Sequence, residues 1–284
     1  MRYESPDTLE AASKLLATAS GDARILAGGT DLLVQIRSEV LNPELVIDIK
    51  RVAETRTIKE EAGGWRVGAA VTGAEMKEHA KLRAAWPGVV EAANLIGSTQ
   101  VQGRATMGGN LCNGSPAADS VPALIAAGAV ATVVGPSGRR DIKVEDVMLA
   151  PRKLALAKGE IIASFLLPAQ KPKSGDAYLR FIPRTEMDIA VVGCGIALTL
   201  DAAGTCTAAR MSLGAVAARP LLVDASSLVG SKVDDAALAK LSAAAQAACN
   251  PIDDKRGTKE FRVDVAGVLA KRTALIALER ARKR

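Results

Sequence analysis

The sequence is poor in aromatic residues, in histidine and in long apolar runs. Its 284 residues include two tryptophans, two tyrosines, three phenylalanines and one histidine. No apolar run approaches the roughly 18 residues that a membrane-spanning helix needs, so we expect no transmembrane segment. The first residues also lack the apolar stretch of a secretory signal, which predicts a cytoplasmic location.

The four cysteines are scattered and form no Cys-x-x-Cys motif: Cys112, Cys194, Cys206 and Cys249. This spacing argues against an iron–sulfur cluster or a structural zinc within the chain. We expect Cys112 to be a small buried filler rather than a reactive thiol. The single histidine, His79, follows a capping box at 72–75 and is expected on a helix surface. Without a Gly-x-Ser-x-Gly motif, protease and esterase functions are excluded.

The chain carries a formal net charge of +6, from 37 basic and 31 acidic residues. A basic chain can bind nucleic acid, but here the basic residues are dispersed. The exceptions are Lys271-Arg272 and the last five positions, 280–284. These favour a solvated helix end over a nucleic-acid arm, so we expect protein partners and no nucleic acid.

Two glycine-rich bends lie about eighty residues apart: Ala27-Gly28-Gly29-Thr30-Asp31 and Thr106-Met107-Gly108-Gly109-Asn110. Glycine removes the Cβ where the backbone turns sharply, so consecutive N–H groups can point at an anion. Each bend alone is more typical of an ordinary turn, as at Gly63-Gly64. As a pair they indicate two halves of a diphosphate-binding site. Neither has the Rossmann Gly-x-Gly-x-x-Gly spacing, and no P-loop motif is present.

With these bends the chain resembles the FAD-binding subunit of the molybdenum-containing hydroxylases, the xanthine dehydrogenase family. The resemblance rests on residues 26–33 and 97–119. It continues at Gly159-Glu160-Ile161-Ile162, at Arg184-Thr185-Glu186-Met187-Asp188-Ile189-Ala190, and at Gly214-Ala215-Val216-Ala217 with Pro220. It covers nearly the whole chain, with the matches in family order.

The resemblance implies an α+β fold, with an FAD-binding domain of the vanillyl-alcohol-oxidase type at residues 1–170. This domain would contain two α/β subdomains, at about 1–55 and 56–170. A C-terminal domain of a small antiparallel sheet plus helices would follow at 176–284. The proline-rich run at 168–175 is typical of a linker or surface loop between such units.

Pattern and composition also predict individual elements. We expect one capped helix at 73–84, a hairpin of strands at 130–134 and 139–144, and strands at 191–200 and 208–214. Alanine-rich helices are expected at 234–249 and 265–282.

Carried over by position, the resemblance implies that the two bends hold the FAD diphosphate through backbone amides, the Thr30 hydroxyl and the Asn110 amide. Asp119 would accept from cofactor hydroxyls or begin a helix, and Arg180 would approach the flavin ring. No catalytic residue and no metal ligand is expected. The predicted cofactor-binding set is Leu26, Ala27, Gly28, Gly29, Thr30, Asp31, Ile96, Thr106, Gly108, Gly109, Asn110, Asn113, Ser115, Asp119, Ile162 and Arg180.

The implied function is an electron-transfer subunit of a heterotrimeric molybdenum hydroxylase. Its FAD would accept electrons from the [2Fe–2S] clusters of a small subunit, while a large subunit holds the molybdopterin cofactor. A dimer of heterotrimers is the implied assembly. Two alternatives stay open: a stand-alone flavin oxidase or reductase, and a non-redox nucleotide-binding assembly module. The sequence specifies neither the oxidised substrate nor the terminal acceptor.

Overall fold

A computed structural model describes residues 1–284 and shows an α+β fold, which confirms the predicted class. The strands are β1 (Arg2–Glu4), β2 (Ala23–Leu26), β3 (Leu45–Asp48), β4 (Ile58–Glu61), β5 (Gly64–Gly68), β6 (Val130–Gly135), β7 (Gly138–Lys143), β8 (Met148–Ala150), β9 (Lys153–Leu154), β10 (Ile161–Leu167), β11 (Ser174–Phe181), β12 (Val192–Leu200), β13 (Cys206–Gly214) and β14 (Leu221–Val223).

The helices are α1 (Leu9–Thr18), α2 (Leu32–Arg37), α3 (Gly73–Glu78), α4 (Ala80–Ala85), α5 (Pro87–Ala93), α6 (Thr99–Gln102), α7 (Met107–Cys112), α8 (Ser120–Ala126), α9 (Val144–Val147), α10 (Asp235–Ala247) and α11 (Lys259–Arg282). Two short 3-10 helices lie at Ala53–Arg56 and Ser226–Leu228. None of the helices is both long and apolar enough to cross a membrane.

The N-terminal sheet is parallel, in the order β1-β3-β2. Helix α1 connects its first two strands, is capped by the Thr8 side chain, and buries Leu9 and Ala12 against the sheet. The carboxyl end of β2 leads directly into the first glycine bend. Parallel strands commonly present loops for ligand binding at this edge of a sheet.

A five-stranded antiparallel sheet, β4-β5-β10-β6-β7, forms the second unit. Its inner face packs with α3, α5, α7 and α8 in a cluster of 28 buried residues that includes Phe165 and Met107. The Thr72–Glu75 capping box predicted for α3 is present.

The third unit is the antiparallel sheet β11-β12-β13-β14, which has α5 and α8 on one face and α11 on the other. This position explains why β12 is buried along almost its whole length, since helices cover both faces of the strand. Gly195 permits the close approach of α8, because a Cβ at this position would lie 2.7 Å from the Pro122 carbonyl oxygen. The C-terminal sheet is therefore packed tightly against the helices that flank the second bend.

Two local predictions are wrong. The helix expected at 73–84 is broken at His79, whose ring Nδ1 accepts a hydrogen bond from the Leu82 amide and so caps α4. His79 is half-buried between α3 and α4, with its ring centroid 5.1 Å from that of Trp65, and does not lie on the exposed surface of a helix. Strand β11, which begins within the expected linker, was not predicted from the sequence. Its alternation was hidden because the strand is buried on both faces over Ser174–Tyr178.

Asp176 on β11 joins the C-terminal sheet to α5. Its side chain is 3% exposed, and Oδ2 accepts a hydrogen bond from the Val89 amide at 3.1 Å, in the first turn of a helix with no side-chain cap of its own. Its Oδ1 has no hydrogen-bond partner. Burial raises the pKa of Asp176 to about 7; the Val89 amide, Arg280 and Arg284 oppose this rise, and Glu91 adds to it.

We predict that Asp176→Asn stabilises the protein at pH 8 and leaves its stability unchanged near pH 4. The raised pKa means that ionisation of Asp176 costs stability as pH rises from about 4 to about 7. Asparagine keeps the acceptor for Val89 without the charge, and the expected gain is about 1–3 kcal/mol. Calorimetric melting at both pH values measures it. If the variant is less stable than wild type at pH 8, Arg280 and Arg284 stabilise the ionised Asp176 by more than its burial costs, and the prediction is wrong.

Candidate dinucleotide-binding groove

A groove of about 470 Å³ lies between the N-terminal parallel sheet, α7 and the start of β10. This volume falls within the range of small-molecule binding sites. Both glycine bends contribute to its wall, although they are about eighty residues apart in the sequence.

Most of the predicted cofactor-binding residues line this groove: Ala27, Gly28, Gly29, Thr30, Asp31, Ile96, Thr106, Gly108, Gly109, Asn110, Asn113 and Ile162. Four do not line it: Leu26, Ser115, Asp119 and Arg180. Leu26 is a buried end of β2, and Ser115 lies beyond the end of α7.

The first bend is held in place by its glycines. A Cβ at Gly28 would lie 2.0 Å from the carbonyl oxygen of Arg104, so only glycine fits against the segment that precedes the second bend. Gly29 has a φ of +81°, in the left-handed region that glycine enters without strain. Arg104 Nε also donates to the Gly28 carbonyl oxygen at 3.3 Å.

The main-chain N–H groups of residues 28–32 donate no hydrogen bond within the chain. The carbonyls of the same segment are used, since Gly29 accepts from Leu33 and Asp31 accepts from Gln35. Buried N–H groups are almost always paired with protein, water or a ligand. A run of unpaired donors beside a groove is an anion-binding arrangement.

The second bend presents the opposite wall. Gly108 packs against Ala69, whose carbonyl oxygen would lie 2.5 Å from a Cβ at this position, and its N–H makes no hydrogen bond within the chain. Thr106 caps α7 by accepting from the Gly109 amide at 3.0 Å. The Asn110 Oδ1 atom accepts from the Ser120 amide and hydroxyl at 3.0 and 2.7 Å, which fixes the orientation of the Asn110 side chain.

Side chains connect the two bends directly. Gln35 Nε2 on α2 donates to Asn113 Oδ1 at the end of α7, at 3.2 Å. Together with the Arg104–Gly28 contact, this hydrogen bond ties the two walls of the groove to each other.

Several polar residues of the groove were not predicted from the sequence. Arg24 pairs with Asp22 at 2.9 Å and Glu160 pairs with Arg140 at 2.7 Å. Arg152 and Gln35 also line the groove. Of these residues, Glu160 belongs to the Gly159–Ile162 motif. Arg24, Gln35 and Arg152 lie in segments without a recognised motif.

Two further residues of the groove wall are Cys112, which was expected to be buried, and Asp31. Cys112 is exposed to the groove rather than buried, because the last turn of the short helix α7 faces the groove. The surrounding protein raises the pKa of Asp31, which makes no side-chain hydrogen bond.

Asp119 and Arg180 contact each other. Arg180 Nη1 lies 2.7 Å from Asp119 Oδ2, and the Tyr178 hydroxyl donates to Asp119 Oδ1 at 3.0 Å. All three side chains are buried. Burial raises the pKa of Asp119 to about 6, while Arg180 and Tyr178 oppose the rise. Asp119 adjoins Ser120, which holds the groove residue Asn110, so this trio supports the groove wall from behind.

Two family models match the chain in succession. The FAD binding domain in molybdopterin dehydrogenase matches residues 1–170, and the CO dehydrogenase flavoprotein C-terminal domain matches residues 177–277. The chain is 31% identical to the carbon monoxide dehydrogenase medium chain of Hydrogenophaga pseudoflava, over 95% of this chain and 94% of that one. It is 33% identical to the nicotinate dehydrogenase FAD-subunit of Eubacterium barkeri, over 77% and 75% of the two chains.

Solved structures agree with these relatives. The chain is similar to a chain of reconstituted CO dehydrogenase from Oligotropha carboxidovorans, with a TM-score of 0.93, 31% identity, and coverage of 99% of this chain and 98% of that one. For quinoline 2-oxidoreductase from Pseudomonas putida the TM-score is 0.89 at 27% identity, with the same coverage. The family predicted from the motifs is thus confirmed, and the chain belongs to the FAD-binding medium subunits of the molybdenum hydroxylase family.

Proposed function

We propose that this chain is the FAD-carrying electron-transfer subunit of a molybdenum hydroxylase complex. The observation that carries the proposal is the run of unpaired amides at residues 28–32, which lines the same groove as the unpaired Gly108 amide. Donors arranged in this way suit the diphosphate of a dinucleotide, which brings negative charge and several acceptor oxygens.

The roles of the groove residues follow from their positions. The amides of Gly28, Gly29 and Thr30, with the Thr30 hydroxyl, would hold one side of the diphosphate. The Gly108 amide and the Asn110 side-chain NH₂ would hold the other, since the Gly109 amide already donates to Thr106. The apolar side chains of Ile96 and Ile162 would pack against the cofactor along the groove wall.

The predicted cofactor contacts of Asp119 and Arg180 lie outside this groove, and we keep them as proposals. Asp119 precedes Ser120, whose amide donates to the groove residue Asn110, so the pair lies one residue from a groove contact. Arg180 would place a positive charge near the flavin ring. Contacts of Leu26 and Ser115 with the cofactor likewise remain proposals.

Bound FAD supplies the ability to accept electrons singly and to pass them on as a pair. The residues of this chain would bind and orient the cofactor, and none needs to act as acid or base on the organic substrate. The electrons would come from the [2Fe–2S] clusters of a small partner subunit, and a large partner would carry the molybdopterin cofactor. The medium-chain and FAD-subunit names of the relatives support this division of roles.

The assembly and the domain division are further parts of the proposal. We propose a dimer of heterotrimers in the cytoplasm, formed by the large, medium and small subunits. Within this chain we propose an FAD-binding domain at 1–170, with subdomains near 1–55 and 56–170, and a C-terminal domain at 176–284. A cluster of 26 buried residues drawn entirely from 177–281 supports the C-terminal domain. The cluster of the N-terminal sheet also includes Ala70, Val134, Ile161 and Ala163, so the two proposed subdomains share part of their core.

Purification of the chain alone and of its complex tests the proposed function. The chain alone should bind FAD and show flavin absorption without iron–sulfur bands, and the tagged chain should co-purify with two further subunits. Absence of flavin absorption at saturating FAD would favour a nucleotide-binding assembly module. Oxidase or reductase turnover by the isolated chain, with no companion subunits, would favour a stand-alone flavoenzyme.

We predict that Gly109→Val lowers FAD occupancy while the protein still folds. A Cβ at Gly109 meets only the Thr106 hydroxyl oxygen, at 3.0 Å, so the new side chain enters the groove rather than the protein core. Valine is also no worse than glycine in a helix. We expect FAD affinity to fall at least about tenfold.

The flavin-to-protein absorbance ratio and an FAD titration measure this effect, and melting without FAD checks folding. Gly103→Val is the matched control: Gly103 is exposed, lies outside the groove and has open space around it. Normal occupancy in Gly109→Val would contradict the diphosphate assignment.

We also predict that Arg180→Gln lowers the midpoint potential of the bound flavin by at least about 30 mV, because a nearby positive charge stabilises the reduced cofactor. Spectroelectrochemical titration of the FAD-loaded chain measures the potential. Arg184→Gln, which changes an exposed arginine of the same domain, should leave it unchanged. An unaltered potential in Arg180→Gln, with a lower melting temperature, would mean that Arg180 serves only to pair with Asp119.

A further inference from the structure

Arg152 stands at a turn position that normally belongs to glycine. The strands β8 and β9 pair Ala150 with Lys153, so Pro151 and Arg152 form the two-residue turn between them. Proline followed by a residue with positive φ is the pattern of a type II turn, which favours glycine or asparagine at the second place. Arg152 has a φ of 60° and therefore holds an unfavourable backbone conformation.

The backbone of this turn is fixed to the end of the second glycine bend. The Arg152 amide donates to the Gly114 carbonyl oxygen at 2.9 Å. Gly114 has a φ of +64°, and a Cβ on it would lie 2.8 Å from the Arg152 Cα. Two left-handed residues are thus packed against each other beside the groove.

Among the seven non-glycine residues with positive φ, Arg152 is the one that lines the groove. The groove contains one other arginine, Arg24, which pairs with Asp22. Of its two carboxylates, Glu160 pairs with Arg140 and Asp31 forms no ion pair with Arg152 or any other cation. The Arg152 side chain has no ion pair or hydrogen bond within the chain. A cation without a partner, held by a strained backbone at a binding site, points to a ligand as its partner.

The backbone amides of the glycine bends provide dipoles but no positive charge, and the carboxylate of the first bend, Asp31, forms no ion pair. A dinucleotide diphosphate carries two negative charges, so a groove cation is needed beside it. We propose that Arg152 is a further ligand-binding residue of the groove, which pairs its guanidinium with the diphosphate and so selects diphosphate-bearing ligands over neutral ones. Planar guanidinium groups bind phosphate oxygens in a two-pronged manner that the backbone amides cannot replace. This inference rests on the proposed function.

The test uses titration calorimetry of the full-length chain without cofactor, with three probes: FAD, ADP and riboflavin. ADP carries the diphosphate without the flavin ring, and riboflavin carries the ring without phosphate. Arg152→Gln should weaken FAD and ADP binding about tenfold each and leave riboflavin binding unchanged. Lys153→Gln, which removes the neighbouring exposed cation outside the groove, is the matched control and should bind all three probes as wild type does.

Arg152→Gly separates the side chain from the backbone. Glycine fits the left-handed turn, so this variant should melt at or above the wild-type temperature and still lose about tenfold in FAD and ADP affinity. A lower melting temperature with normal FAD affinity would overturn the proposal, because the role of Arg152 would then be structural. Equal losses for riboflavin and ADP in Arg152→Gln would also overturn it, since the contact would be with a ring.

The outcome for wild type distinguishes this inference from the proposed function. If wild type binds FAD and ADP and Arg152→Gln binds both equally well, this inference alone fails. If wild type binds neither FAD nor ADP, the proposed function fails, and this inference with it.

Discussion

Five consecutive main-chain N–H groups, at residues 28–32, lack a partner inside the protein, and the surrounding structure holds them in this state. Gly28 is buried, Gly29, Thr30 and Leu32 are half-buried and Asp31 is exposed, so these N–H groups border the groove, where water or a ligand can accept from them. The parallel sheet positions the start of the bend, and Gly28 packs directly against the Arg104 carbonyl, where a Cβ would not fit. The fold keeps these donors available for an anion.

The rest of the chain supports the same groove from behind. Asn110 is held by Ser120, and the adjacent Asp119 is held by Arg180 and Tyr178 of the C-terminal sheet. This sheet packs so closely on α8 that Gly195 must lack a side chain. The C-terminal unit therefore fixes one wall of the groove, and the N-terminal sheet fixes the other. The two parts of the chain that match separate families act as one support for a single site.

The sequence predicted the glycine bends well, because a glycine pair after an apolar strand indicates a sharp turn of the backbone. It also predicted the α+β class and most long elements. It did not predict the break at His79, since an imidazole that caps the next helix leaves no pattern in composition. Strand β11 was missed because it is buried on both faces, which hides its alternation. Arg152 was missed because its left-handed turn depends on tertiary contacts. Arg24 lies in strand β2, and no motif marked it as a groove residue. Asp119 and Arg180 were singled out as cofactor ligands, and their mutual ion pair could be seen only in three dimensions.

The most direct test of the central claim is amide NMR of the ¹⁵N-labelled chain with and without FAD. The account predicts that the largest shifts on binding occur at the amides of residues 28–32 and of Gly108, as their N–H groups gain phosphate oxygens as acceptors. If FAD binds while the chemical shifts of these amides stay unchanged and those of other amides change, the two bends do not hold the diphosphate, and the account is contradicted.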